Sequence, residues 1–149
     1  MIDTARPVIQ DLIRRRKLDD ARAADARLAA TQSQSTVLDA LGDGGFVSHR
    51  DLAISRARVA ESLFVDLAQF EIEAANAGLL PARLARRLVA FPLFIIDGCV
   101  TVGMLDAADP YALDQIRQRT HLEVEAVFCE APLLRALIAR AYPPGPDAA

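Results

Sequence analysis

The sequence predicts an α+β protein: a helical N-terminal subdomain of two helical hairpins, followed by a small α+β subdomain with a mainly antiparallel sheet of three or more strands. Three observations predict this class. The first sixty residues repeat a helical pattern, the segment around Asp97 has the pattern of a β-hairpin, and apolar residues at helical spacing return near the end. We therefore expect subdomains at 1–60 and 61–142, with a Pro/Gly-rich tail or linker at 143–149.

An internal repeat organises the helical subdomain, because a shift of 29 residues superposes its two halves. Each half contains two helices around a break, which is the basic run 14–17 in the first and the glycine run 42–45 in the second. Asp19 and Ser48 are expected N-caps, since their side-chain oxygens can accept the first free amide protons of a helix. The pattern predicts two tandem helical hairpins. The superposed apolar pairs are Val8 with Val37, Ile9 with Leu38, Leu12 with Leu41, and Leu18 with Val47.

The second subdomain has its strongest signal at Asp97-Gly98, the preferred pair for a type I′ turn. Apolar runs at 93–96 and 99–104 flank this pair, so we expect two antiparallel strands. The other predicted elements are a strand at 64–67, helices at 72–78 and 81–89, a helix from 110 to 119, a strand through 124–128 and a helix at 132–142.

Composition and charge exclude several classes of protein. The formal net charge of −3 argues against nucleic-acid binding, which is usually basic. Residues 1–60 carry eight acidic and ten basic side chains, and residues 61–149 carry twelve and seven, so the two parts differ in sign. No apolar run approaches the roughly 20 residues that span a bilayer, and the charged first twenty residues lack the apolar core of a signal peptide.

No group of residues predicts catalysis or metal binding. Cys99 and Cys129 lie in separate apolar segments, so we expect reduced, mostly buried thiols of a cytoplasmic protein. His49 and His121 have no ligand-type residue at metal spacing, and we expect solvated or capping histidines. There is no Ser/His/Asp set and no recognisable pair of catalytic carboxylates. The sequence predicts a chain that is not an enzyme, with no catalytic residue, no metal site and no required cofactor.

Two motifs have simple structural interpretations. The glycine run at 42–45 is not followed by the lysine of a phosphate-binding loop, so we expect a helix-breaking turn. Asp109 before Pro110 is expected to cap a helix, with proline in the first helical turn. The basic run at 14–17 remains open: it is either a solvated loop between helices or a surface for an acidic partner or anionic head groups.

The order and spacing of short motifs resemble the N-terminal domain of type II secretion and type IV pilus assembly ATPases, the general secretory pathway protein E N-terminal domain family. The resemblance extends from about Pro7 to Tyr142 and implies a domain that precedes a hexameric motor. On this resemblance the chain is a non-catalytic domain, and a longer parent protein would contain the ATPase. The motifs are Gly45-Phe46-Val47-Ser48, Phe64-Val65-Asp66-Leu67, the run 79–86, Asp97-Gly98, the run 108–114 and the apolar helix that ends at Tyr142.

One branch of this family, typified by MSHA-pilus ATPases, binds cyclic di-GMP through two repeated motifs, and the units 7–30 and 36–59 have the same period. In that branch each motif begins Arg-Leu-Gly and ends in Gln. Here the two motifs begin with 7–9 (Pro-Val-Ile) and 36–38 (Thr-Val-Leu), and they end at Ala30 and Val59. A guanidinium and a close backbone approach are lost, so the resemblance implies a retained fold with a degenerate nucleotide site. The residues retained from the motif are Leu12, Leu18, Leu41, Gly45 and Leu52.

In the type II secretion branch this domain docks onto the cytoplasmic part of an inner-membrane assembly protein. The resemblance therefore implies a docking and regulatory domain, cytoplasmic and held at the inner face of the inner membrane by that partner. We expect the docking surface at Arg14, Arg15 and Arg16, where the sequence is richest in arginine. The alternatives are a cyclic di-GMP-binding regulatory domain, or the same module serving a glycosyltransferase or a response regulator.

Overall fold

The structure is a computed structural model that describes residues 5–143, and the chain forms two compact units that divide between Glu61 and Ser62. In residues 5–61 the regular elements of the first unit are all helices, as predicted. No helix within the described part of the chain is long and apolar enough to cross a bilayer. The helices of the first unit are α1 (Ala5–Arg14), α2 (Asp20–Ser33), α3 (Val37–Asp43) and α4 (His49–Val59).

Helix starts in the first unit are fixed by side-chain caps. Asp19 accepts a hydrogen bond from the Arg22 amide at the start of α2, and Ser48 accepts one from the Asp51 amide at the start of α4. Both predicted N-caps are confirmed, and they occupy equivalent positions of the 29-residue repeat. Thr36 caps α3 in the same way.

The glycine run ends α3 and reverses the chain, as predicted. Gly45 has a φ of +76°, a left-handed conformation that favours glycine, and it has open space around its Cα. The amides of Phe46 and Val47 both donate to the carbonyl of Leu41, so the turn is closed by backbone hydrogen bonds. The turn is not followed by the Gly-Lys-Ser/Thr sequence of a phosphate-binding loop.

The four helices pack across the repeat. Helix α1 packs against α4, and α2 packs against α3, so the two main contacts are equivalent under the 29-residue shift. Their shared core buries the apolar positions that the repeat superposes. This core consists of Ala5, Val8, Ile9, Leu12, Leu18, Ala23, Ala26, Leu38, Leu41, Val47 and Leu52.

The second unit contains a three-stranded sheet and three α-helices, with strand order β1-β2-β3. The predicted α+β class is confirmed. Short 3₁₀ helices at Leu67–Gln69 and Ala74–Leu79 precede the sheet. The elements are α5 (Ala82–Leu88), β1 (Ala90–Ile96), β2 (Cys99–Met104), α6 (Pro110–Thr120), β3 (Glu123–Phe128) and α7 (Ala131–Ala141).

The hairpin β1–β2 forms as predicted, with antiparallel pairing on both sides of Asp97-Gly98. Both turn residues have positive φ, 50° for Asp97 and 76° for Gly98, as a type I′ turn requires. The register is interrupted by a bulge at Leu93. The side-chain amide of Asn76 donates to the carbonyls of Pro92 and Leu93 there, so the bulge is held by the preceding 3₁₀ helix.

The sheet is mixed rather than mainly antiparallel, because β3 pairs parallel to β2. In the sequence, helix α6 lies between β2 and β3. Two parallel strands that are neighbours in a sheet need a crossover connection of this kind. Asp109 caps α6 by accepting from the amides of Tyr111 and Ala112, with Pro110 as its first residue, as predicted. The antiparallel pairing of β1 and β2 was predicted correctly from the turn residues between them. The direction of β3 is set by the crossover through α6, so the turn residues could not predict it.

Two predicted elements of this unit take a different form. At 64–67 a single parallel bridge joins Phe64 to Phe128, because Asp66 caps the 3₁₀ helix Leu67–Gln69 and ends the extended segment. The helix predicted at 72–78 is the 3₁₀ helix Ala74–Leu79, which has no side-chain N-cap. The predicted helix at 81–89 is observed as α5.

One core cluster of the second unit lies between β1, β3 and the helices α5 and α7. Both cysteines are free thiols; Cys99 is half-buried and Cys129 is fully buried. Burial raises the pKa of the Cys129 thiol to about 12, which makes it an unreactive core residue at neutral pH. The core residues are Leu67, Ala85, Phe91, Leu93, Val127, Cys129, Leu134, Leu137, Ile138 and Tyr142. Of the predicted tail at 143–149, only Pro143 falls within the described residues.

Candidate functional site

The five residues retained from the nucleotide-binding motif have two different locations. The four leucines, Leu12, Leu18, Leu41 and Leu52, are buried in the core of the first unit, where they hold the helices together. Gly45 is exposed in the turn after α3. The four leucines therefore explain why the fold is retained, and Gly45 is the one of the five residues that lies on the surface.

The three arginines of the predicted docking surface are not equivalent. The side chain of Arg14 is 71% exposed, whereas that of Arg15 is 20% exposed. Arg16 follows α1 with a φ of 62° and is exposed to solvent. Lys17 extends the basic surface and ends the turn. Arg14, Arg16 and Lys17 are therefore available on the surface, and Arg15 points into the unit.

A buried carboxylate, Asp11, connects α1 to α4. Its Oδ2 accepts a hydrogen bond of 2.7 Å from the hydroxyl of Ser55, which is also fully buried. Arg58 Nε donates to both carboxylate oxygens, at 3.1 and 3.2 Å. Arg14 and Arg15 lie 3.5 and 3.9 Å from the same carboxylate. The cost of burying the Asp11 carboxylate between α1 and α4 is thus offset by hydrogen bonds and ion pairs from hydroxyl and guanidinium groups.

Opposing influences act on the pKa of Asp11. Burial, the largest influence, raises it, whereas the hydrogen bonds from Ser55 and Arg58 and the positive charges of Arg58 and Arg15 lower it. Together these partners outweigh burial, so the pKa lies below its ordinary value of 3.8. Asp11 is therefore ionised at neutral pH, and its ion pairs are present in the folded protein.

Arg15 continues this network to the start of α4. Its Nη1 donates to the Ser55 hydroxyl at 2.7 Å, and its Nη2 donates to Asp51 Oδ1 at 3.3 Å. Lys17 Nζ lies 3.9 Å from the same Asp51 oxygen. The inner part of the basic turn therefore stabilises the α1–α4 contact, and its outer part is exposed to solvent.

A shallow groove of about 400 Å³ lies above this network on the surface of the first unit. Its position matches the motif of the cyclic di-GMP-binding branch: Pro7 is the first residue of one motif and Val59 is the last residue of the other. The groove thus brings the two ends of the repeat together, with proline and valine where that branch has arginine and glutamine. Its lining residues are Pro7, Gln10, Asp11, Arg14, Arg58 and Val59.

A second groove, of about 380 Å³, occupies the corresponding place on the other half of the repeat. Shifting Gln10, Asp11 and Arg14 by 29 residues gives Asp39, Ala40 and Asp43, all of which line the second groove. The two grooves are therefore related by the repeat but opposite in charge. Two arginines line the first, and no basic residue lines the second, which is formed by Ala29, Ser33, Ser35, Asp39, Ala40, Asp43 and Gly44.

The network residues Asp11, Ser55 and Arg58 were not predicted from the sequence, although the repeat contains a signal for them. The same shift places Asp11 on Ala40 and Ser55 on Ala26, so one half has a polar pair where the other has two buried alanines. A polar residue at a core position of a repeat indicates a local function. The comparison of the two halves therefore marks these positions as different, and the structure shows that they are buried.

The two histidines have structural positions. His49 is half-buried in the first turn of α4, with its Nε2 3.8 Å from Asp43 Oδ1. His121 ends α6 in a left-handed conformation, with a φ of 58°. Within residues 5–143, no three His, Cys, Asp or Glu side chains come together as a metal site.

Comparison with known proteins identifies the family. The model of the MshEN domain matches residues 61–148, more than half of the chain. The solved N-terminal domain of XpsE is 27% identical in two crystal forms, with TM-scores of 0.73 and 0.60, over 95% of this chain and 98–99% of that chain. A structure of MshE with cdg has the same fold, with a TM-score of 0.71 at 24% identity over 91% of this chain and 98% of that chain.

A search of the curated proteins gives no match. The family match and the XpsE likeness agree with the motif resemblance, and the XpsE domain is by its description an N-terminal domain. The chain therefore belongs to the MshEN domain family, the N-terminal domains of type II secretion and type IV pilus assembly ATPases.

Proposed function

We propose that this chain is a docking and regulatory domain that recruits a secretion or pilus ATPase to the cytoplasmic part of an inner-membrane assembly protein. The observation that favours docking over nucleotide sensing is the composition of the first groove. Pro7 and Val59 occupy the two positions at which the cyclic di-GMP-binding motif has an arginine and a glutamine, so the guanidinium and the amide of those two motif residues are missing. On this proposal the domain works in the cytoplasm at the inner face of the membrane, and it requires no cofactor.

The docking surface that we propose is the outer part of the basic turn, formed by Arg14, Arg16 and Lys17. These side chains are exposed, although Arg14 also lies 3.5 Å from the Asp11 carboxylate and Lys17 lies 3.9 Å from that of Asp51. Exposed charges of one sign mainly accelerate association and select the partner, and neighbouring apolar contacts provide affinity. Val59 in the adjoining groove is one such apolar contact.

A charge reversal tests this surface. The double substitution Arg14→Glu and Arg16→Glu is expected to weaken binding to the cytoplasmic domain of the assembly protein about tenfold, and to reduce the salt dependence of binding. Arg15 is left unchanged because its hydrogen bonds to Ser55 and Asp51 stabilise the fold. Arg16→Glu alone, which keeps the ion pair between Arg14 and Asp11, is measured beside the double variant and is expected to change binding in the same direction. The measurement is surface-immobilised binding at 50 and 300 mM salt.

The matched control is Arg83→Glu with Arg87→Glu, which makes the same change of charge at two exposed positions of α5. This control is expected to bind like the unsubstituted protein. Equal binding by the Arg14/Arg16 variant would show that the basic turn is not the docking surface. Absence of binding by the unsubstituted protein would instead reject the docking function with this partner.

The second candidate function is cyclic di-GMP sensing, favoured by the shared fold of MshE with cdg and by Arg14 and Arg58 in the first groove. We expect no heat of binding at ligand concentrations to about 100 μM. The variant to compare with the unsubstituted protein is Pro7→Arg with Val59→Gln. Both substitutions are at exposed positions, and they restore motif residues without changing the core. Micromolar binding by the unsubstituted protein would reverse our ranking of the two functions.

A further inference from the structure

At the hairpin end of the sheet in the second unit, one face of the sheet is exposed to solvent. Register places Phe94, Thr101 and Glu125 in one row across β1, β2 and β3, and Ile96, Cys99 and Glu123 in another. Residues two apart on a strand point to the same side, so both rows lie on one face. We name these six residues the open sheet face.

The two sides of the sheet differ most on the central strand β2, although Ile95 on the opposite face is 46% exposed. Val100, next to Cys99 and Thr101 on β2, points to the opposite face and is 0% exposed. On the open sheet face, Ile96 is 69% exposed, and Cys99 and Thr101 are only half-buried. Closer to α7, the same face carries Gly103, where an added Cβ would lie 2.9 Å from the Cys129 sulfur. The face is therefore closely packed at one end and uncovered at the hairpin end.

The β1 side of the open sheet face is apolar. Phe70 packs edge-on against Phe94, with ring centroids 5.2 Å apart, and yet Phe70 itself is half exposed. Together with Ile96 these rings form an exposed apolar surface on a unit that otherwise buries its large apolar residues on this face. Contiguous apolar surface of this kind is characteristic of protein contact sites.

The β3 side of the open sheet face is acidic. Glu123 and Glu125 are both exposed, and neither carboxylate has an ion-pair partner among residues 5–143. Between the two sides, Cys99 and Thr101 provide a floor of small side chains. The face thus has an apolar wall on β1, small side chains on β2 and an acidic wall on β3.

We propose that the open sheet face docks an amphipathic helix of a protein partner, with an apolar stripe and basic residues along one flank. The acidic wall selects basic residues, and it disfavours a second copy of this chain, whose own acidic walls would be brought together. This inference does not depend on the function of the first unit, because every residue of the face lies beyond residue 61.

The dimensions of the face fit a helix. Neighbouring strands lie about 4.8 Å apart, so the apolar and acidic walls are separated by about 10 Å, the diameter of a helix. Glu123 and Glu125 are two strand residues apart, or roughly 6.6 Å, and basic residues at i and i+4 of a helix are separated by a rise of about 6 Å. A single helix can therefore pair both carboxylates while its apolar stripe covers Phe94 and Ile96.

The test uses the isotopically labelled chain and a designed helical peptide of about 18 residues, or five turns, with a leucine stripe and lysines at i and i+4 on one flank. We expect saturable binding with Kd below about 100 μM, with amide shifts concentrated at 94–101 and 123–125. Glu123→Lys with Glu125→Lys is expected to weaken binding at least about tenfold, and Ile96→Ser about threefold.

Two controls make the result specific. Asp20→Lys with Asp25→Lys makes the same change of charge at exposed positions of α2 and is expected to bind the peptide normally. A peptide with glutamates in place of the lysines is expected not to bind. The proposal is overturned if no saturable binding occurs, if the glutamate peptide binds as well, or if the shifts lie on other elements. It is also overturned if the labelled chain dimerises through this face on sedimentation.

Discussion

Replacement of Asp11 by alanine is expected to lower the free energy of unfolding of the first unit by about 3 kcal/mol. The substitution removes the acceptor for Ser55 and Arg58 in the α1–α4 contact and leaves the Ser55 hydroxyl proton buried without a partner. Breaking a buried ion pair typically costs about 3–5 kcal/mol. We expect the low end of this range because the Arg58 side chain is 54% exposed and can regain water.

The repeat provides an internal control for this substitution. Its other half has Ala40 and Ala26 at the equivalent positions, both buried without any polar group. Ser55→Ala alone is expected to cost about 1 kcal/mol, since Asp11 keeps its arginine partners. Asp11→Ala with Ser55→Ala reproduces the alanine pair, so the double variant should be about 1 kcal/mol more stable than the sum of the single losses predicts.

Chemical denaturation measures these differences, and amide hydrogen exchange locates them. Faster exchange is expected in α1 and α4, with unchanged exchange in β1 and β2, because the network lies within the first unit. A loss below 1 kcal/mol for Asp11→Ala, or strictly additive single losses, would show that the network contributes little beyond packing.

The sequence predicted those features that depend on local chemistry. The caps at Asp19, Ser48 and Asp109 each need only one side-chain oxygen close to the first amides of a helix. The hairpin at Asp97-Gly98 needs only two residues that tolerate positive φ between apolar strands. In each case the determining contact lies within about four residues, so a pattern along the chain was sufficient.

Features that depend on distant contacts were not predicted. The parallel pairing of β3 is fixed by the crossover through α6, which joins strands that lie about twenty residues apart in the sequence. The candidate site shows the same limit. Arg15 was predicted as a surface residue, but its hydrogen bonds to Ser55 and Asp51 on α4 turn it inwards.

Replacement of Tyr142 by alanine is expected to destabilise the second unit by about 4 kcal/mol, the typical cost of removing a buried aromatic side chain. Tyr142 ends α7, and its ring packs edge-on against Phe91 with centroids 5.8 Å apart. Its hydroxyl lies 3.1 Å from the carbonyl oxygens of both Ala77 and Leu80, and its own carbonyl accepts a 2.7 Å hydrogen bond from Arg86. One side chain thus joins the last helix, the 3₁₀ helix and the sheet.

Tyr142→Phe separates packing from hydrogen bonding, since it keeps the ring and removes only the hydroxyl. We expect a loss of about 1 kcal/mol at pH 8, the usual contribution of one hydrogen bond. The difference should depend on pH. Burial raises the pKa of Tyr142 from 10.0 to about 12, against a smaller opposite effect of the Arg86 charge.

A raised pKa in the folded state means that ionisation favours unfolding. The contribution of the tyrosine is complete below pH 10, where both states are protonated, and it is lost as the pH rises from 10 towards 12. At pH 11 the stability difference between the unsubstituted protein and Tyr142→Phe should therefore shrink by about 1 kcal/mol relative to pH 8. Both proteins keep Cys129, whose raised pKa affects them equally. A difference that stays constant from pH 8 to pH 11 would mean that Tyr142 is hydrated in the folded protein, and a loss under 2 kcal/mol for Tyr142→Ala would mean that α7 does not need this contact.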